Sequence, residues 1–341
     1  MMENKEKTTR LDGQKEILEA LRQEVQKLCT VDDKVEIQEM VKNNGVVKLG
    51  MTIQEQGKPV SPLIYLEPYL RSLNEGTAIE ETAQSIYVVH RKCRGQELAA
   101  ANEFFQAELV REKVIYQLVN LEKNREILET MPYRVIGEDL AALFAVLWEK
   151  DDTGIMTIKI KQEHMRYWQI DEDTLWEWAA RNTPRRFPVI VKSLEDVLKD
   201  LLKKQMEKSG IRLNEEAWDK LLDSHRSQTK EKEFIQSKVY VLTNRYNTWG
   251  ASAILYPEVL KTIAQKLGGD LLILPSSIHE VILVRHENIG EYDKIAEFVK
   301  EINQKEVLPE DVLSDSVYRY EEKNASFCRI AGNRGKDAGC I

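Results

Sequence analysis

The sequence is poor in the residues that mark the simplest structural classes. Of its 341 residues, four are cysteine, five are histidine and nine are proline. Because the cysteines show no repeated spacing in so long a chain, we expect reduced thiols and not a disulfide framework. They are Cys29, Cys93, Cys328 and Cys340.

Long apolar segments are also missing. The run from Leu140 to Trp148 is far shorter than the roughly 20 residues that span a bilayer. The first twelve residues are polar and carry no apolar signal core. We therefore predict a cytoplasmic protein with no membrane association.

No long basic tract is present either. The chain has 49 Lys and Arg against 57 Asp and Glu, a formal net charge of -8. This balance argues against bulk binding of nucleic acid or anionic membrane, although local clusters keep a nucleic-acid contact open. With 42% hydrophobic residues, the chain has enough apolar side chains for a folded core.

The common catalytic motifs are absent, and two near-matches fail. No P-loop and no Rossmann glycine pattern occurs in the sequence. His279-Glu280 begins like a zinc-protease motif, but Leu283 stands where the second histidine is required. Gly250-Ala251-Ser252 begins like a nucleophile elbow, but Ile254 replaces the second glycine. The sequence predicts no cofactor.

Metal ligands are scarce. His90 and Cys93 are spaced to share one helical face, but a structural zinc site needs four ligands and no second pair lies nearby. We therefore predict no metal site and expect a histidine near a helix end beside a half-buried cysteine.

The periodicity favours an α+β fold with mixed, mainly antiparallel sheets, packed helices and a charged helical insertion. Apolar residues at helical spacing predict a helix over 14–28, and two β-rich runs around Asn43-Asn44-Gly45 predict a hairpin. The domain prediction is one extended unit with possible sub-lobes, a charged insertion and flexible ends. These are 14–305 for the unit, 14–190 and 237–321 for the sub-lobes, 193–236 for the insertion, and 1–12 and 324–341 for the ends.

Two local expectations concern segments near the later sites. A single helix is predicted to carry Trp168, Trp176 and Trp178 and to stop at Pro184. These tryptophans either pack a core or stack on bases or sugars, and core packing is the commoner role. The apolar run 251–255 is predicted to be a strand.

The first candidate site is Pro275-Ser276-Ser277-Ile278-His279-Glu280, which joins two apolar runs. On an extended chain, Ser277 and His279 would point one way, and Ser276 and Glu280 the other. Ser277, His279 and Glu280 are therefore candidate catalytic residues, as nucleophile, base and carboxylate, and Ser276 is a candidate binding residue. The alternative is a tight turn in which the serine hydroxyls bond backbone amides.

The second candidate is a cluster of arginines. Arg181, Arg185 and Arg186 lie around the C-terminal end of a predicted helix. They are candidate binding residues for an anion or an RNA backbone. The alternative is favourable interaction with the helix dipole in a solvated turn.

Several stretches together resemble one bacterial family, the domain-of-unknown-function family numbered 5688. The most specific part is the Pro275-Ser276-Ser277-Ile278-His279-Glu280 run, and the order of segments agrees over about residues 14 to 305. The resemblance implies one whole-length unit in anaerobic Gram-positive bacteria, often near mobile-element genes. It implies no activity and no catalytic residue. The other matching stretches are 42–46, 65–67, 118–120, 182–184 and 256–257.

Three functions remain open on these observations. The first is a non-enzymatic accessory or regulatory protein that binds a protein or a small ligand and is associated with mobile elements. The second is a hydrolase-like enzyme that uses the Ser276–Glu280 segment. The third is a nucleic-acid-binding accessory protein that uses the arginine cluster.

Overall fold

The computed structural model describes residues 2–56, 61–93, 103–151, 154–208, 239–286 and 291–332. The chain divides into two compact units, Met1–Val110 and Arg111–Ile341, which are treated separately below. This division falls at a different place from the sub-lobes suggested by the sequence. That 14–305 acts as a single extended unit stays a prediction.

The first unit packs helices on a three-stranded antiparallel sheet of order β1-β2-β3. Leu21 and Val25 of the first helix are fully buried against Met51 and Ile86, as the helical spacing predicted. The predicted hairpin is confirmed, and Asn44 and Gly45 adopt positive φ in its turn. The elements are α1 Met2–Leu28, β1 Lys34–Val41, β2 Val47–Gln54, β3 Leu63–Tyr65, α2 Glu67–Asn74, α3 Ile79–Cys93 and α4 Ala107–Val110.

The second unit begins with a four-stranded antiparallel sheet centred on β6. β4 pairs with one edge of β6, while β5 and β7 share its other edge. Residues 140–147 are all buried, which explains why the central strand is a continuous apolar run. The elements are β4 Val114–Asn120, α5 Arg125–Leu128, β5 Tyr133–Ile136, β6 Leu140–Asp151, β7 Gly154–Lys159, α6 Gln162–Trp168 and α7 Glu172–Arg186.

A six-stranded sheet of order β13-β12-β10-β11-β9-β8 forms the rest of the second unit, and every neighbouring pair is antiparallel. With helices beside antiparallel sheets in both units, the predicted α+β class is confirmed. The elements are β8 Val189–Ser193, α8 Leu194–Lys208, β9 Val239–Asn244, α9 Val259–Leu267, β10 Leu271–Leu274, β11 Val281–Arg285, α10 Tyr292–Glu306, β12 Val317–Glu321 and β13 Ser326–Ala331.

The ends of the chain are more regular than the sequence suggested. The first helix already begins at Met2, and Ser326–Ala331 is an edge strand, so neither 1–12 nor 324–341 is simply a flexible end. Residues 333–341 lie outside the described residues. Cys328 is disulfide-bonded, so the prediction of free thiols is wrong for this residue. Of the charged insertion 193–236, the structure describes α8, and residues 209–238 lie outside the described part.

Two predictions near the arginine cluster are wrong. Trp168 lies on its own helix, which ends at Gln169 with a left-handed φ of 56°. α7 continues past Pro184 to Arg186, since side-chain bonds from the residues before the proline hold this last turn in place. Trp168 is buried and Trp176 stacks on Tyr116, so both are packing residues.

The segment predicted as a strand at 251–255 is a 3-10 helix, Gly250–Leu255. Its first five residues are buried and small or aliphatic, and it packs on β4, β9 and β11. An apolar run that is buried on all sides has no periodicity that separates a strand from a helix.

Side chains cover the outer edge of β4. Thr183 Oγ1 accepts the N–H of Tyr116 at 3.1 Å, and Ser252 Oγ accepts the N–H of Leu118 at 3.2 Å. Asn182 Nδ2 donates to the carbonyl of Val114 at 3.0 Å. The edge strand therefore has its backbone groups satisfied inside the protein, where unpaired groups would be costly.

A second set of bonds joins the two sheets through Asp139, in the turn between β5 and β6. Its carboxylate accepts hydrogen bonds from Ser314 Oγ at 2.6 Å, from Ser316 Oγ at 2.8 Å and from the Tyr318 hydroxyl. Burial, and then the negative charge of Asp139, raises the pKa of Tyr318 well above its usual value. One carboxylate thus connects the four-stranded sheet to β12 of the six-stranded sheet.

Gly250 lies at the closest backbone approach in this region. A Cβ on Gly250 would lie 2.3 Å from the His279 carbonyl oxygen, 2.3 Å from Thr243 Oγ1 and 2.8 Å from Thr243 Cα. Two of these atoms belong to the backbone and cannot rotate away. Only glycine fits between β9 and the segment that precedes β11.

We expect Gly250→Ala to lower the free energy of unfolding by about 3 kcal/mol or more, because the backbone of two elements must move. Gly268→Ala is the matched control, since its Cβ meets nothing within 4 Å and the positive φ alone costs about 1 kcal/mol. Urea unfolding of both variants measures the difference. Equal losses would contradict the close approach at Gly250.

Three buried tyrosines predict alkaline instability. Tyr116 donates to the Ser252 carbonyl, Tyr256 to the Phe187 carbonyl and Tyr318 to Asp139, so each needs its proton in the folded state. Burial raises the pKa of all three, whereas unfolded tyrosine titrates near 10. Their contribution is therefore complete below about pH 10 and is lost above it, by about 1.4 kcal/mol per pH unit for each tyrosine.

The measurement is the unfolding free energy between roughly pH 9 and 11. Tyr318→Phe should lower the slope above pH 10 by one proton, whereas Tyr167→Phe, at a side chain 61% exposed, should leave the slope unchanged. An identical slope in wild type and Tyr318→Phe would show that Tyr318 does not titrate differently in the two states.

Candidate functional site

The Pro275–Glu280 segment is a loop between β10 and β11 whose backbone pairs with residues 311–314. Ile278 N–H donates to the Asp311 carbonyl, and Leu313 N–H donates to the Ser276 carbonyl, both at 2.8 Å. Ser277 and Val312 form an isolated antiparallel bridge. The segment is therefore held by a distant part of the chain and not by a regular strand of its own.

Ser277 closes a local turn. Its side chain is almost fully buried, with 8% of the residue exposed, and its Oγ accepts the backbone N–H of His279 at 3.0 Å. This is the serine turn that the sequence offered as the alternative to a nucleophile. Ser276 is half-buried and Glu280 is exposed.

Both ring nitrogens of His279 are bound. Nδ1 accepts the backbone N–H of Trp249 at 3.3 Å, and Nε2 lies 3.2 Å from Asp311 Oδ1. A backbone amide can only donate, so Nδ1 carries a lone pair and the imidazole donates from Nε2 to Asp311. The ring is one-third exposed, and neither nitrogen bonds the Ser277 hydroxyl.

The carboxylate beside His279 is Asp311 and not Glu280. A nucleophile-base-orienter arrangement requires one imidazole nitrogen to face the serine and the other to face the carboxylate. Here the backbone of Trp249 holds the nitrogen opposite Asp311. Asp311 lies 32 positions beyond His279, and the sequence near it carries no pattern that would pair the two.

Trp249 itself adopts a strained backbone conformation. Its φ is 54°, in the left-handed region that bulky residues rarely enter, and Asn247 two residues earlier has φ 49°. The Trp249 ring packs against Phe187 with ring centroids 6.1 Å apart, and Phe187 also contacts Tyr246 at 5.9 Å. The loop after β9 is thereby fixed to the end of α7.

The predicted arginines lie at that same end of α7, and all three are exposed. Arg181 Nη2 lies 3.0 Å from Glu112 Oε1, and Arg186 Nη2 donates to the Glu112 carbonyl at 3.3 Å. Between them, Asn182 and Thr183 turn inward to β4. The side chains that face solvent here are therefore the arginines.

Sequence reasoning missed two residues beside the arginines. Arg245 and Tyr246 are exposed on the loop after β9, and Arg245 N–H donates to the Pro188 carbonyl at 3.0 Å. The available signal was the run Asn244-Arg245-Tyr246-Asn247, a polar turn directly after a strand. Nothing in the sequence placed it next to residues 181–187.

Metal and thiol chemistry receive little support from the described residues. No group of three His, Cys, Asp or Glu side chains among them is arranged to hold a metal ion. His90 Nε2 lies 3.1 Å from Glu55 Oε1, and the Cys93 side chain is outside the described part. Burial, then the charges of Asp33 and Glu55, raises the pKa of Cys29 to about 11, so this thiol stays protonated near neutral pH.

A cavity of about 560 Å³ lies in the first unit beside the end of α1. Its basic lining residues include Arg22 and Lys27, which are paired with Glu19 and Glu24 one turn earlier on the helix. The cavity is therefore less cationic than its basic residues suggest. In the part of the chain that the structure describes, no helix is both long and apolar enough to cross a membrane.

Comparison with known proteins gives one match. No curated protein and no solved structure shows significant similarity to the chain. The model of a family of unknown function, DUF5688, matches residues 14–322, which include both candidate sites. The chain belongs to the family of unknown function DUF5688.

Proposed function

We propose that this protein is a non-enzymatic accessory or regulatory protein that acts by binding a partner. The observation that carries the proposal is the bonding of His279, whose two ring nitrogens are held by Trp249 N–H and Asp311. The most chemically suggestive residue in the sequence is thus used to fix two loops together.

Other polar residues in the segments that resemble the family are used in the same way. Asn120 Nδ2 donates to the Leu313 carbonyl at 2.8 Å, and Asn124 Nδ2 donates to the Asn120 carbonyl at 2.8 Å. Asn182 and Thr183 bond the edge of β4. Buried polar networks of this kind specify one arrangement of the chain, which is what a binding scaffold requires.

The second candidate function is hydrolysis, and one observation favours it. His279 and Asp311 form a histidine-carboxylate pair at 3.2 Å with one-third of the imidazole exposed. For Ser277 to be activated, the ring would have to release the Trp249 N–H and turn its Nδ1 toward a hydroxyl that is nearly buried. We therefore place this function second.

The cytoplasmic location and the link to mobile elements belong to the same proposal. Both rest on the sequence and on the family resemblance, and both stay predictions. A partner that is encoded beside the gene in its native host would support the link.

A fluorophosphonate probe, which labels activated serine nucleophiles, tests the enzymatic alternative. We expect no labelling of the wild-type chain, because the Ser277 hydroxyl has no free base beside it. Labelling that disappears in Ser277→Ala and persists in Ser276→Ala would overturn the proposal in favour of a hydrolase.

The structural role of His279 gives the complementary measurement. Asp311→Asn and His279→Ala should each lower the free energy of unfolding by about 1 to 2 kcal/mol, through loss of a hydrogen bond to a partly buried group. Glu280→Gln, at an exposed side chain, is the control and should leave stability unchanged. Full stability of both His279→Ala and Asp311→Asn would contradict the structural role.

A further inference from the structure

Five exposed arginines converge on one face of the second unit. We call them the arginine surface: Arg111, Arg181, Arg185, Arg186 and Arg245. They come from three separate segments, namely the start of β4, the last turn of α7 and the loop after β9. Glu112 contacts Arg111, Arg181 and Arg186, while the Phe187–Tyr246 ring contact and the Arg245–Pro188 bond bring the third segment alongside.

The local charge differs in sign from that of the whole chain. Glu112 is the acidic side chain that contacts these arginines in the described residues, and its carboxylate lies within 4 Å of both Arg111 and Arg181. Exposed Glu177, one turn before Arg181, and exposed Glu280 are the next acidic residues along the neighbouring segments. A helix dipole accounts for cations in the last turn of α7, but not for Arg111 or Arg245.

A fixed aromatic ring lies among the arginines. Tyr246 is 38% exposed, and its buried side rests edge-on against Phe187. Asn244 holds the loop from within: its Oδ1 accepts the Tyr246 N–H at 2.9 Å and its Nδ2 donates to the Thr248 carbonyl at 2.6 Å. The ring is therefore presented by a rigid loop, with little conformational entropy left to lose on binding.

Guanidinium groups around an exposed, preoriented aromatic ring match the chemistry of a phosphodiester chain with unpaired bases. Arginine binds phosphate through two parallel N–H groups, and a tyrosine face stacks on a base of any sequence. A duplex offers the phosphates but keeps its bases stacked inside. We propose that the arginine surface binds single-stranded nucleic acid, with phosphates on Arg185, Arg186 and Arg245 and a base stacked on Tyr246.

This inference rests on the proposed binding function and specifies its partner. It gives a role to the strained loop at Asn247 and Trp249 that the structural account of His279 does not need. Strain in an exposed loop that is fixed by surrounding bonds is typical of recognition sites.

The test is fluorescence anisotropy of the full chain with labelled single-stranded RNA and DNA of roughly 15 nucleotides. We expect binding that weakens with salt. Arg185→Ala/Arg186→Ala should weaken it about tenfold or more and reduce the salt slope by about 1.4, since each phosphate contact on a single strand contributes about 0.7. Arg71→Ala/Arg91→Ala removes the same charge from exposed sites in the first unit and should leave binding within about twofold of wild type.

Tyr246 separates stacking from charge. Tyr246→Ala should weaken binding about tenfold, whereas Tyr246→Phe should retain it, because the ring face is kept. Circular dichroism and thermal unfolding confirm that both variants are folded. An Ala variant that binds as tightly as wild type would overturn the stacking role and with it the proposal.

The competitors distinguish the remaining sources of binding. Equal affinity for duplex DNA of the same length, or for heparin, would show attraction to polyanions in general and overturn the proposal. Saturation by a free mononucleotide at the affinity of the oligonucleotide would also overturn it, in favour of a nucleotide site. No binding of any strand would end this inference alone, because the fluorophosphonate experiment tests the non-enzymatic function independently.

Discussion

The outer edge of β4 has its backbone groups bound by side chains from elsewhere in the second unit. Thr183 comes from α7 and Ser252 from the 3-10 helix, and each accepts a backbone N–H of this strand. A strand that ends a sheet inside the protein must have its amides satisfied, or it loses the stability gained by burial. The position of α7, and of the arginines on its last turn, follows from this constraint.

The same principle explains how the two sheets of the second unit are joined. Asp139 collects three hydroxyl groups from the segment that leads into and forms β12, and His279 connects the Trp249 backbone to Asp311. These contacts join short polar segments and not apolar faces. Because the polar residues fix the scaffold, the protein's chemical capacity lies on the surface that they position, and the rigid loop carrying Tyr246 is its most exposed product.

Much of the fold was predictable from local pattern. The hairpin around Asn44, the apolar strand at 140–148 and the paired strands β10 and β11 are confirmed, because each has a clear period or a turn residue that tolerates positive φ. The 3-10 helix at Gly250 was mistaken for a strand, since burial on all sides removes the period. The continuation of α7 beyond Pro184 depends on bonds from Asn182 to the start of β4, which no helix rule contains.

For the sites, the sequence by itself determined which residues are chemically capable: Ser277 and His279 in one loop, and Arg181, Arg185 and Arg186 at one helix end. Only the tertiary structure decided their partners. Asp311 and Trp249 occupy the two nitrogens of His279, and Tyr246 and Arg245 come alongside the arginines from some 60 positions away. The physical reason is that hydrogen bonds and ring contacts depend on distances of a few ångströms, which the antiparallel pairing of distant strands sets and local sequence does not.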